Sequence, residues 1–402
     1  MTKLLIQHGP AKGQKIGIAL ANKHADGSIF SLRDEKFDSI LSYIDSSNLL
    51  SSENTLIDPQ LYYSTYDCNN LKNLENLMKY PSDVSRRDIR TKDKRIYDYF
   101  EEYYKFVNGK FNNIITPGFS INAIDWKFDS TLDIYKYFKD KNDNNDYYMN
   151  MVISAKMFHS KNDIDEILLD ISDETDIYEK NGIYLIINYD ESNDSNYESI
   201  DSETLSNILY FIYILKKKGF RIIVGYTFIN SILFSMLECE FVASGWFNNL
   251  RKFSNSRFEN VDNFGRRKKK FFSIPLLSYI GLDIIKEISL FRSNEDLKSN
   301  TNCDDIAFEN SDNVSFVDLE HQFWQAEHIL ISEINGKQSL EEKIKYVKDK
   351  IIKAIELAER VSNDIPMEYD ELKSIIKSNT VHLKEWLFAI ELFIKKASIL
   401  IY

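Results

Sequence analysis

Eight short, β-branched apolar runs alternate with longer amphipathic stretches over the first 250 or so residues, and this alternation restricts the fold more than any other feature. The runs cover 4–8, 28–32, 55–58, 113–117, 151–156, 183–188, 221–226 and 240–244. Helices are predicted between and after them over 13–25, 35–46, 88–107, 131–139, 163–171, 203–218, 229–237 and 246–253. Strand followed by helix, repeated, signals parallel βα units rather than hairpins. The sixth crossover, ETLSNILYFIYILKKKGF, carries apolar residues at helical spacing and ends in lysines before Gly219, a C-cap signal; RIIVGY then begins at once as a buried strand. An open doubly wound sheet shows the same alternation, but eight strands with eight crossovers favour closure. The predicted class is α/β: a (β/α)8 barrel over residues 1–280, followed by a helical region over 281–402.

Strand signals stop after about residue 280. Residues 294–313 are polar and acidic and read as a loop. Helices are predicted over 318–333, 339–361, 369–379 and 381–401, either capping the barrel or forming a docking or dimerisation surface for a protein partner. With 43% hydrophobic and 13% aromatic residues the chain is globular. No apolar leader and no apolar run of membrane-spanning length is present, so a cytoplasmic location without membrane contact is expected. Cys68, Cys239 and Cys303 are too scattered for a disulfide framework or a CxxC zinc site.

The formal charge is −12, which alone argues against non-specific nucleic-acid binding. Its distribution argues the other way. Residues 251–270 carry eight basic side chains against two acidic ones, and 84–95 carry six against two. Both segments fall in βα connections, so both should flank the same mouth. An acidic protein with a basic mouth suits a polyanion.

Active sites of such barrels lie at the C-terminal ends of the strands. That rule selects His8, Arg33, Asp58 and Gln60, Lys156, Asn188 and Asp190, Tyr226, and the run Ser244, Gly245 and Trp246. In TLIDPQLYY, Asp58 closes an apolar strand that Pro59 stops, and the amide of Gln60 follows. Asp58 either stabilises positive charge on a sugar, acts as a base or holds a metal, or it caps the turn. Asp190 is a second carboxylate for glycosidic chemistry, or part of a solvated loop; Lys156 is functional, or snorkels. Gly245 lets a ligand approach the backbone; Trp246, Tyr226 or Tyr62 stacks on a base, unless Trp246 only packs over the rim. Arg86, Arg87, Arg90, Arg251, Arg257, Arg266, Arg267, Lys268 and Lys269 are predicted contacts to a phosphate backbone, against the alternative of solvated charge. His321 and His328 lie seven apart with no third ligand in view, so neither a metal nor a cofactor is expected.

The segments IQHGPAKGQKI, LIDPQLYY, VASGWFNNLRKF and RRKKKFFSIPLL, in this order, resemble the barrel proteins related to tRNA-guanine transglycosylases, including the DNA-directed members of phage-defence and DNA-modification loci. The resemblance covers about residues 1–280. It implies an enzyme that flips a nucleobase out of nucleic acid and cleaves its N-glycosidic bond, with Asp58 as the strand-end aspartate. The family's zinc motif is absent, and Ser244–Gly245 stands where the transglycosylases carry a nucleophilic aspartate. The expected function is therefore a DNA glycosylase acting on a modified base and leaving an abasic site, in which Gln60, Lys156 and Asn188 read or protonate the base. A base-exchanging transglycosylase on DNA or tRNA, a barrel enzyme for a small phosphorylated sugar, and a non-catalytic nucleic-acid-binding subunit remain the alternatives.

Overall fold

The computed structural model describes residues 1–64, 72–76, 80–141, 145–189, 201–246, 248–253 and 268–399. Eight parallel strands form the barrel: β1 (Lys3–Gln7), β2 (Gly27–Ser31), β3 (Thr55–Asp58), β4 (Asn113–Ile115), β5 (Asp146–Ser154), β6 (Gly182–Asn188), β7 (Arg221–Gly225) and β8 (Phe241–Ser244). They are hydrogen-bonded in the order β3-β2-β1-β8-β7-β6-β5-β4, every pair parallel, and the two-residue strand Ser120–Ile121 extends the β4 side of β5. The strands are buried along nearly their whole length, which is why their sequences read as apolar runs.

The ends of that path, β3 and β4, meet without a ladder between them. Hydrogen bonds from Asn112, Asn113 and Tyr103 span the seam. The backbone amide of Asn112 donates to Ser52 O (2.9 Å) and Asn113 Nδ2 donates to Glu53 O (2.8 Å). The hydroxyl of Tyr103 lies 3.1 Å from Ile57 O and 2.8 Å from Ile115 O, one carbonyl on each strand. Tyr103 reaches the seam from the helix Lys94–Val107, which Asp93 caps and whose buried face carries Tyr99, Tyr103 and Phe106.

Most crossover helices agree with expectation within a few residues; the helix expected at 203–218 is Ser202–Lys217, with Asp201 accepting from the amide of Thr204 (2.8 Å). The stretch expected as one helix over 88–107 is two, Arg86–Arg90 and Lys94–Val107. The described part of the eighth crossover is a single turn, Asn248–Arg251, too short to cover the barrel wall. The helix Phe316–Asn335 covers that wall instead, packing on β1, on the first helix Lys15–Ala21 and on Ser231–Met236. Trp324 Nε1 donates to Ser244 O at the end of β8 (3.2 Å), and Asn335 exchanges two hydrogen bonds with the backbone of Thr2 (2.9 and 2.8 Å). A capping box of Ser315 and Asp318 starts this helix.

Between the barrel strands and that helix lie an antiparallel hairpin, β9 (Lys270–Ser273) and β10 (Ser278–Gly281), and two short helices, Leu282–Ile288 and Asp304–Glu309. The second corrects the expectation of an unbroken loop over 294–313. A smaller apolar core joins the hairpin and these helices to parts of Leu340–Asp364 and Asp370–Lys396. Asp370–Lys396 is one helix where two were expected; within it the Thr380 hydroxyl donates back to Ile376 O (3.0 Å). It packs on Ser202–Lys217, where Lys396 reaches Glu203, Ser206 and Asn207. No helix among the described residues is long and apolar enough to cross a membrane.

Candidate active site

Asp58 ends β3 fully buried. Pro59 stops the ladder, Gln60 adopts a left-handed conformation (φ 55°), and the short turn Leu61–Tyr63 follows. This folds the chain back on the carboxylate: the Gln60 amide donates to Asp58 Oδ1 (3.1 Å) and the Tyr62 hydroxyl donates to Oδ2 (2.9 Å). Burial, and then the Asp58 charge, push the Tyr62 phenol well above its ordinary value, so it stays a donor. The Gln60 side chain ties β2 to this turn, its Oε1 accepting from Ser31 Oγ (2.9 Å) and the Arg33 amide (3.0 Å). Its Nε2 is buried with no hydrogen-bond partner among the described residues.

Opposite, Tyr184 on β6 donates to Gln7 Oε1 on β1 (3.2 Å). Two strands separate β1 from β6 in the sheet, so this bond crosses the lumen. Tyr226 follows β7 in a left-handed conformation (φ 56°). Its ring meets Phe253 edge-on at 5.3 Å, and Phe253 also meets Tyr62 (5.7 Å) and Tyr63 (6.3 Å), so Phe253 covers an aromatic mouth over Asp58. Asn188 is buried at the end of β6, and Lys156 is exposed on the turn after β5.

The remaining predicted residues do not converge on that lumen. Ser244 pairs with Ile6, one position out of phase with the inward Leu5 and Gln7, so it faces outward toward Trp324. A Cβ on Gly245 would come within 2.4 Å of the Leu250 Cβ, so this glycine serves close packing within its own chain. Trp246 is fully buried, donates from Nε1 to Pro10 O (3.0 Å) and meets Trp324 and His8 edge-on. Arg251 is also buried: Nε donates to Gly245 O (3.0 Å), and the guanidinium lies over Phe323 (4.0 Å) and Tyr279 (4.7 Å). Lys270, 5.7 Å from the Tyr279 ring centre, is lowered to about 8 by burial and by the Arg251 and Lys268 charges. Lys268 is exposed, whereas Lys269 donates to Asp312 O (3.0 Å).

Arg86, Arg87 and Arg90 are exposed on the short helix Arg86–Arg90; ahead of it the Val84 amide donates to Ser64 O (3.0 Å) and Tyr80 OH donates to Gln60 O (2.6 Å). His8 is buried 3.7 Å from Glu35, and burial lowers its pKa against the opposing effect of Glu35; Arg33 pairs with Asp34 (3.0 Å). Asp190, Arg257, Arg266 and Arg267 lie outside the described residues. Among those described, no three His, Cys, Asp or Glu side chains are arranged to hold a metal ion.

Gln7, Asn150 and Tyr184 are inward polar residues that escaped the strand-end rule. They sit within strands rather than after them, and the available signal was a carboxamide in the otherwise apolar runs LLIQ and NMVIS. Compared with known proteins, the chain matches no protein family, no curated protein and no solved structure.

Proposed function

We propose that the protein is a nucleic-acid N-glycosylase, with DNA favoured over tRNA, that hydrolyses the bond to an extruded, modified base as part of phage defence. The observation that carries this reading is the buried Asp58 carboxylate, fixed by its own turn at the end of a barrel strand beneath an aromatic mouth. In the reaction the C1′–N bond breaks with its electron pair leaving on the base, and a water oxygen bonds to C1′ and releases a proton. Asp58 stabilises the oxocarbenium-like centre or takes that proton. Tyr62 and Tyr226 offer stacking faces, with Phe253 displaced by the incoming base. Gln60 and Asn188 supply polar contacts, and Arg86, Arg87, Arg90 and Lys268 supply exposed positive charge for the phosphodiester chain.

One observation favours a second reading, a subunit that binds nucleic acid without cutting it: both Asp58 oxygens already accept hydrogen bonds from the protein's own chain. Base release from DNA, measured for the wild type and Asp58→Ala, separates the two. A glycosylase releases base in an Asp58-dependent manner; a binding subunit retains salt-sensitive DNA binding and releases none.

A further inference from the structure

The interior of an eight-stranded barrel is packed in layers of four side chains contributed by alternate strands. Carrying the observed registers round this barrel, with the offset of about one residue per strand that the closed geometry imposes, brings four residues to one height. They are Gln7 on β1, Asp58 on β3, Asn150 on β5 and Gly225 on β7. A layer that is ordinarily Val, Ile or Leu here holds two carboxamides, a carboxylate and a glycine. The glycine's side-chain space is taken by Tyr184, whose hydroxyl lies 2.7 Å from where a Cβ would stand. That same hydroxyl donates to Gln7 Oε1, which leaves Gln7 Nε2 with no hydrogen-bond partner among the described residues.

Asn150 is the more unusual member. It is fully buried in the middle of β5, and neither its Oδ1 nor its Nδ2 has a hydrogen-bond partner among the described residues. Burying an unpaired amide is unfavourable by a margin that native cores seldom carry without a reason. β1 and β5 stand opposite each other in an eight-stranded ring, so the two amides face each other across the lumen at the height of Asp58.

We infer that Gln7 and Asn150 are the specificity-determining pair of the barrel, reading the donor–acceptor edge of a planar heterocycle held in the lumen beside Asp58. A carboxamide presents one donor and one acceptor in a plane and matches an adjacent acceptor and donor on a nucleobase edge. Asn150 has both ends available and makes that two-point contact; Gln7 adds a donor through Nε2. This rests on the glycosylase reading and assigns recognition to residues below the mouth.

The test is binding of free nucleobases, natural and 5-modified, to the full-length protein by calorimetry, with Asn150→Leu and Asn150→Asp alongside. The wild type binds one base class. Asn150→Leu, similar in size and without the buried amide, unfolds no earlier than the wild type and binds that base at least about tenfold more weakly. Asn150→Asp, which exchanges a donor for an acceptor, changes the order of preference among bases. Equal affinities in all three proteins would overturn the inference while leaving Asp58-dependent base release untouched. Loss of folding in both variants would also overturn it, because it would make the amide a structural residue. Gln7→Glu, which keeps the acceptor for Tyr184 and removes the free donor, gives an independent check: it weakens binding of the same base, and unchanged binding counts against the pair.

Discussion

Replacing Glu327 by glutamine should make the protein more stable, and increasingly so as the pH rises. Glu327 is fully buried on the helix Phe316–Asn335, where it accepts a hydrogen bond from Ser231 Oγ (2.7 Å) across the contact with Ser231–Met236. Burial raises its carboxyl from an ordinary 4.5 to about 8, against smaller opposing effects of the Ser231 hydrogen bond and the Arg251 charge. The folded chain therefore holds a proton that the unfolded chain releases above 4.5, and stability falls as the pH climbs from 4.5 through 8. At about 1.4 kcal/mol per pH unit, the resulting loss is under about 1 kcal/mol at pH 5, about 3 kcal/mol at pH 7 and nearly 5 kcal/mol at pH 9. Glutamine keeps the oxygen that Ser231 bonds and removes the titration. Urea unfolding of both proteins at pH 5, 7 and 9 isolates the effect, since every other titrating group is common to both. The expected gain is about 3 kcal/mol at pH 7, shrinking to under about 1 kcal/mol at pH 5. A gain that does not depend on pH, or a glutamine variant less stable at pH 9, would refute a buried neutral carboxyl.

Tyr103→Phe removes the hydroxyl shared by the β3 and β4 carbonyls and should lower stability by about 1–2 kcal/mol in denaturant unfolding, with faster amide exchange at the seam. His24 and His321, nearly buried with ring centres 5.9 Å apart, line the contact between β2's approach and the helix Phe316–Asn335, beside the His328–Asp26 pair (3.5 Å) and the Lys15–Glu320 pair (3.3 Å). Burial lowers both, His24 to about 4. A histidine lowered in the folded state is an acid-side weakness, so stability should drop by about 2 kcal/mol as the pH falls from 6.5 toward 4. His24→Gln should flatten that slope in thermal melts, and an unchanged slope refutes the assignment.

The barrel was legible because parallel strands buried on both faces leave apolar runs, and each run is followed by enough amphipathic chain to return. The helix that completes the wall was not assigned to it, because Phe316–Asn335 follows β8 by some seventy residues, whose described part includes a hairpin and several short helices. The same distance explains the rim residues. Trp246 and Arg251 read locally as ligand contacts, yet their partners Trp324, Phe323 and Tyr279 come from that later segment. Asp58 and Gln60 could be found because Pro59 marks the strand end within the local sequence. Gln7 and Asn150 show in the sequence only as carboxamides within apolar runs; that they share a height with Asp58 was not legible, since it depends on register and tilt, properties of the closed sheet.

Whether the protein is an Asp58-dependent glycosylase is decided by mass spectrometry of free bases released when the purified protein is incubated with unmodified DNA, hypermodified phage DNA and bulk tRNA, with Asp58→Ala in parallel. Release of one base from modified DNA, abolished by the substitution, is the expected result. No release from any substrate, or release that Asp58→Ala leaves intact, would contradict it.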